Sequence, residues 1–185
     1  MKATVAVATA LLSIALAGGA QAGVINCPLN IVDNVSGTTS CQYSDTAKQD
    51  FLNTDPITVN AEGFFGNSDW NFISKINNGG QSGNWGLSDP NAWNSYGDIM
   101  LVFKSGNGTT LVGYLLEDFV SNGSWSSPFE NPPFDVKNTK DVSHISIYGR
   151  GTPTASVPEP ASVALLACGL LGLAASRRLS RKRAG

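Results

Sequence analysis

Between residues 24 and 150 the apolar side chains arrive in short bursts, cut apart by Gly, Asn, Asp, Ser and Pro, and no 3.6-residue period persists. That spacing predicts strands separated by turns, hence an all-β chain. Ile57-Thr58-Val59 is one burst. Trp70 to Ile76 alternates, which places Trp70, Phe72 and Ile76 on one face of a strand and Asn71 and Lys75 on the other. Ile99 to Phe103 is continuously apolar, as expected of a strand covered on both faces, and so belongs at the centre of a sheet. Lys104-Ser105-Gly106-Asn107-Gly108-Thr109 supplies turn residues and Thr110 to Leu116 returns, so Ile99 to Leu116 is expected to form a β-hairpin. Val142 to Tyr148 alternates again, with Ile145 and Ile147 on one side and His144, Ser146 and Tyr148 on the other. Only Ser44 to Leu52 reads as helix, with Ser44 as cap, Ala47 and Phe51 four apart, and Asp55-Pro56 beyond its end. Residues 23–152, about 130 in number, suffice for one core, and the expected architecture is a single β-sandwich of jelly-roll-like form.

The two ends follow different rules. Met1-Lys2 is a charged start, Val5 to Leu16 is apolar apart from Thr9 and Ser13, and Ala20-Gln21-Ala22 is a small-x-small cleavage site. Residues 1–22 therefore read as a secretory signal peptide, with signal peptidase as partner and the mature chain beginning near Gly23. At the other end, residues 153–160 form a linker of small residues running into Pro158-Glu159-Pro160, and Ala161 to Ala175 carries no charge. Fifteen helical residues reach roughly 22 Å, short of a hydrocarbon core of about 30 Å. A transmembrane helix over 161–176 thus spans only with flanking residues, bilayer thinning and snorkelling arginines, and is a weak, temporary anchor. Residues 177–185 hold the basic cluster Arg177, Arg178, Arg181, Lys182 and Arg183, which fixes this tail on the cytoplasmic side of the inner membrane.

This tripartite end, Pro158-Glu159-Pro160, a short apolar helix and an Arg-rich terminus, resembles the PEP-CTERM sorting signal of Gram-negative bacteria. The resemblance covers Val157 to Ala184 and implies recognition of the Pro-Glu-Pro segment by an integral-membrane exosortase. The tail would be cleaved and the body released or attached at the cell surface, commonly in species that make exopolysaccharide. Prolines on both sides of Glu159 oppose helix there, which suits a segment to be read extended. Gly63 to Trp70, Gly97 to Lys104 and Val142 to Tyr148 are also similar to the bodies of other PEP-CTERM proteins, and imply a compact β-sandwich.

Charge narrows the partners further. From Val24 to Val157 there are 6 basic and 13 acidic residues, a net −7, which opposes binding to nucleic-acid phosphates and favours a soluble, self-repelling surface. Cys27 and Cys41, fourteen apart in an exported segment, are expected to form a disulfide; a metal pair lacks further Cys or His ligands in the body. Cys168 lies in the apolar run, as a helix-packing residue or a lipidation site. His144 is the single histidine and has no nucleophile motif beside it. Asn67-Ser68-Asp69 and Asp89-Pro90-Asn91 offer oxygen ligands without an ordered calcium loop, and turn formation already explains them. No metal or cofactor is expected. Trp85, Trp93, Tyr96 and Trp125 lie in Gly-, Asn- and Ser-rich stretches, either as flat faces for sugar rings or as anchors tucked onto the sandwich. The chain therefore reads as a non-enzymatic surface or extracellular-matrix module associated with exopolysaccharide. The alternative is a secreted carbohydrate-binding or glycosidase-type protein using carboxylates such as Asp98, Glu117 and Asp118, about 5 to 9.5 Å apart across a groove.

Overall fold

The computed structural model describes residues 23–77 and 79–152. The signal peptide, the Pro-Glu-Pro linker, the span at 161–176 and the basic tail lie outside the described residues. Among those described, no helix is long and apolar enough to cross a membrane.

Among the described residues eight strands form in chain order: β1 (Val24–Asn26), β2 (Thr38–Ser44), β3 (Asn71–Ile76), β4 (Ser82–Gly86), β5 (Asp98–Lys104), β6 (Val112–Leu116), β7 (Asn122–Ser126) and β8 (His144–Arg150). Six of them make one wholly antiparallel sheet in the order β1-β2-β6-β5-β8-β3, and β4 and β7 pair as a separate ribbon. The all-β expectation holds. The eight strands divide six and two, however, so the two matched sheets of a jelly roll do not form.

The expected hairpin is β5-β6, joined in register from Met100 opposite Leu115 to Phe103 opposite Val112. As its unbroken apolar run requires, β5 is central, and Ile99 to Phe103 are all 0 % exposed. Its alternate residues feed two cores. Ile99, Leu101 and Phe103 join Val112, Tyr114, Ile145 and Ile147 beneath the ribbon, whose Trp85 and Trp125 complete that layer. Met100 and Val102 face the other way, with Tyr148, Trp70, Phe64 and Val59. The alternation over Val142 to Tyr148 is therefore observed with both sides of β8 covered; Ile145, Ser146, Ile147 and Tyr148 are each 0 % exposed.

The second face is covered by a strap over residues 45–57 and by helix α2 (Thr58–Glu62), which follows the one-turn α1 (Leu29–Val32) in the chain. Here the sequence expectations fail for identifiable reasons. Ser44 does behave as a cap, accepting hydrogen bonds from the N–H groups of Thr46 (3.1 Å) and Ala47 (2.7 Å). No helix follows, because the Ala47 carbonyl accepts from Leu111 N–H (2.8 Å) and the Phe51 carbonyl from Thr58 N–H (3.1 Å) instead of from residues four further on. Tertiary partners have taken the groups a helix needs. Ile57-Thr58-Val59, read as a strand, is the entry to α2, where buried Glu62 accepts from the hydroxyls of Ser44 (2.5 Å) and Thr46 (3.3 Å).

In β3 a bulge between Phe72 and Ser74 breaks the simple alternation. Trp70 and Phe72 stay with the second core, Phe72 meeting Tyr148 edge-on, whereas Ile73 and Ile76 pack on the ribbon side. The expected single face of Trp70, Phe72 and Ile76 is thus split.

Candidate functional site

Cys27 and Cys41 form the expected disulfide, with Cα atoms 5.3 Å apart. It holds the end of edge strand β1 to β2, beside the hydrogen bond from Cys27 N–H to the Cys41 carbonyl (3.0 Å).

The aromatic platform does not exist. Trp85, Trp93 and Trp125 are 2, 8 and 3 % exposed, so none presents a ring face to a sugar. Their Gly-rich surroundings are the cause. In the β4-β7 ribbon Gly83 stands opposite Trp125 and Trp85 opposite Gly123, and each indole lies flat across the glycine facing it. A Cβ on Gly123 would come within 2.7 Å of Trp85 Nε1, and one on Gly83 within 3.0 Å of Trp125 Cζ2. The two segments share a Gly-x-Trp spacing, Gly83-Asn84-Trp85 and Gly123-Ser124-Trp125. Two such segments paired antiparallel cover each other's glycines, a cross-strand arrangement known to offset a strand glycine's missing side chain. Trp93 donates its indole N–H to the Val120 carbonyl (2.9 Å). Tyr96 is laid against Gly149, whose Cβ would fall 2.4 Å from the ring's Cγ. The three tryptophans are structural anchors, and their reading as sugar contacts is corrected on burial; Tyr96 is partly buried, with its ring against Gly149.

The carboxylates are likewise engaged or exposed singly. Asp98 pairs with Arg150, which also binds Asp69 (2.8 Å) and lies over the Trp70 ring at 5.6 Å. The hydrogen bond from Arg150 to Asp69 is the first cause that raises the guanidinium's pKa, and the charges of both aspartates add to it. Glu117 and Asp118 follow β6 and are exposed. Asp89 accepts from Asn91 N–H (2.8 Å) as an Asx turn, and the Asn67 amide donates to the Phe65 carbonyl (2.8 Å). The first segment is thus divided between its own turn, through Asn67, and the Arg150 pair, through Asp69, and Asp89 is engaged in its own turn. Among the described residues no three His, Cys, Asp or Glu side chains converge as a metal site would need.

A polar cluster that sequence reasoning missed lies between the strap and β8. Tyr148 donates its hydroxyl to Asp50 Oδ1, and its pKa is pushed well up by burial first and then by the Asp50 charge. His144 lies on the same face, its pKa lowered by burial first and then by Lys75 and Lys104, with Asp50 opposing. Asp50 stands in the segment Ser44 to Leu52 that the sequence reads as helix, and nothing in its neighbours along the chain points to a partner 98 residues away. On the opposite face Tyr114 donates to the Ile31 carbonyl (2.6 Å), and burial is the first cause that raises its pKa.

The sorting residues Pro158, Glu159 and Pro160 and the basic residues Arg177, Arg178, Arg181, Lys182 and Arg183 lie outside the described residues. It is there that similarity to known proteins is found: residues 156–178 match the PEP-CTERM protein-sorting motif. No curated protein and no solved structure matches the chain.

Proposed function

We propose, from the premise that this chain is a PEP-CTERM protein, an exosortase substrate exported and sorted to the cell surface, that its body is a non-catalytic surface or matrix module associated with extracellular polysaccharide. The observation that carries this reading is the sorting motif at residues 156–178. In the proposed sequence of events signal peptidase removes residues 1–22, and the short apolar run holds the chain briefly in the inner membrane. The exosortase then acts at Pro158-Glu159-Pro160, and the body finishes outside the cell.

The body's construction supports a passive role. Its aromatic residues are mostly consumed by two cores, Asp98 is neutralised by Arg150, and Cys27–Cys41 suits an oxidising compartment. A net charge of −7 over Val24 to Val157 keeps copies apart in a crowded matrix.

The test is fractionation and intact-mass measurement of Glu159→Ala and of a chain lacking residues 177–183. Both are expected to accumulate uncleaved in the inner membrane, and normal processing of both would refute sorting through this tail.

A further inference from the structure

The strap over residues 45–57 does more than cover the second core. Where it meets the beginning of β3 it leaves an open groove of about 450 Å³, within the roughly 300–1,000 Å³ of small-ligand sites. Leu52, Pro56 and Phe72 supply its apolar side, and Thr54, Asp55 and Asn71 its polar side. Leu52 and Phe72 are 36 and 41 % exposed, in a body where most large aromatic side chains are buried.

The walls are held in place. The Asn60 side chain accepts from Trp70 N–H (2.9 Å) and donates to the Trp70 carbonyl (3.0 Å), which fixes the backbone entering β3. Phe72 rests edge-on against Tyr148 at 5.8 Å between ring centroids, and Tyr148 is held in turn by Asp50 of the strap. Such preorganisation lowers the entropy lost on binding.

We infer that this groove binds a neutral pyranose chain, one sugar ring lying on Phe72 with its hydroxyls toward Thr54, Asp55 and Asn71. The inference rests on the polysaccharide association proposed above and names its location and sugar class. Three observations favour this occupant. A part-exposed aromatic ring beside amide, hydroxyl and carboxylate groups matches a sugar that is apolar on one face and rimmed with hydroxyls. Asp55 in the groove and the body's net −7 repel an anionic polymer. An extended peptide adding to the free edge of β3 is disfavoured, because the bulge between Phe72 and Ser74 interrupts the ladder and Lys75 follows it.

The experiment is affinity electrophoresis of the full-length chain in a non-sugar detergent, in native gels containing hydroxyethyl cellulose, a galactomannan, glycol chitin or alginate. Retardation by at least one neutral polymer and none by alginate is expected. Phe72→Ala should weaken it at least about tenfold, as loss of a central aromatic anchor does. Leu52→Ser should weaken it in the same direction, while Phe119→Ala, at an exposed aromatic outside the groove, should leave it unchanged. Far-UV circular dichroism reports whether each variant folds. No retardation by any neutral polymer, equal retardation by alginate, or retardation indifferent to both groove variants would overturn the inference. So would capture of unfolded casein through Phe72 in place of sugar. Sorting of the same variants is scored separately, so failure at the groove with normal sorting is distinguishable from failure of the sorting reading.

Discussion

Replacing Gly123 by Ala adds one methyl group where the ribbon has no room for it. The new Cβ would stand 2.6 Å from Ser36 Oγ, 2.7 Å from Trp85 Nε1 and 2.9 Å from Trp85 Cε2. Trp85 is only 2 % exposed and cannot yield without unpacking the first core. Ser36 Oγ cannot yield freely either, since it accepts from Ser124 N–H (2.8 Å). Overpacking of this kind costs about 1–3 kcal/mol, and weakening the Ser36–Ser124 bond adds about 1 kcal/mol. The stiffer unfolded chain returns about 0.4–1 kcal/mol. A net loss of about 1–3.6 kcal/mol follows, which for a body of this size lowers the melting temperature by roughly 3–14 °C.

Gly86→Ala is the internal control. It lies in β4, the partner strand of the same ribbon, yet its nearest new neighbours would be Asn122 Cβ and the Ser121 carbonyl oxygen, both at 3.9 Å. It should be neutral or stabilising by up to about 1 kcal/mol. Urea and thermal unfolding, followed by tryptophan emission and far-UV circular dichroism, compare the two. Gly123→Ala should also red-shift native emission as Trp85 is displaced. A Gly123→Ala protein within about 0.5 kcal/mol of wild type, a change of the size expected at an unconstrained surface site, would refute the reciprocal Trp-Gly packing. Gly86→Ala destabilising as much as Gly123→Ala would do the same.

Two further outcomes are expected. Cys27→Ala/Cys41→Ala removes a cross-link over a sequence separation of fourteen, so urea unfolding should show a loss of about 3 kcal/mol; a loss below about 1 kcal/mol would mean that β1 is held without it. Because the folded protein lowers the His144 pKa, the unfolded chain takes up its proton first as pH falls. Stability is therefore full above the imidazole's ordinary value of about 6.5 and declines below it. His144→Gln should flatten the stability profile between pH 7.5 and 5.5, and an unchanged slope would show that other groups set it.

What could be read from the chain alone follows from local rules. Five consecutive apolar residues, Ile99 to Phe103, are compatible with a strand only if both faces are covered, and a Gly-Asn-Gly turn followed by a second apolar run closes a hairpin. The sorting motif at residues 156–178 is likewise written in composition and order along the chain, and so is the disulfide pairing once export is granted. The residues that misled are those whose partners lie far along the chain. Ser44 carries a cap signal that the structure honours, but the Ala47 carbonyl is claimed by Leu111 and the helix stops. Trp85, Trp125 and Tyr96 stand among turn formers, and only the pairing of β4 with β7, and of Gly149 with the Tyr96 ring, decides that they face inward. The groove beside Phe72 is lined jointly by the strap and the start of β3, next to the bulge between Phe72 and Ser74, residues about twenty apart along the chain. Periodicity and composition register what each residue can do within a few neighbours; which of two faces it takes, and which group it meets there, is settled by long-range pairing.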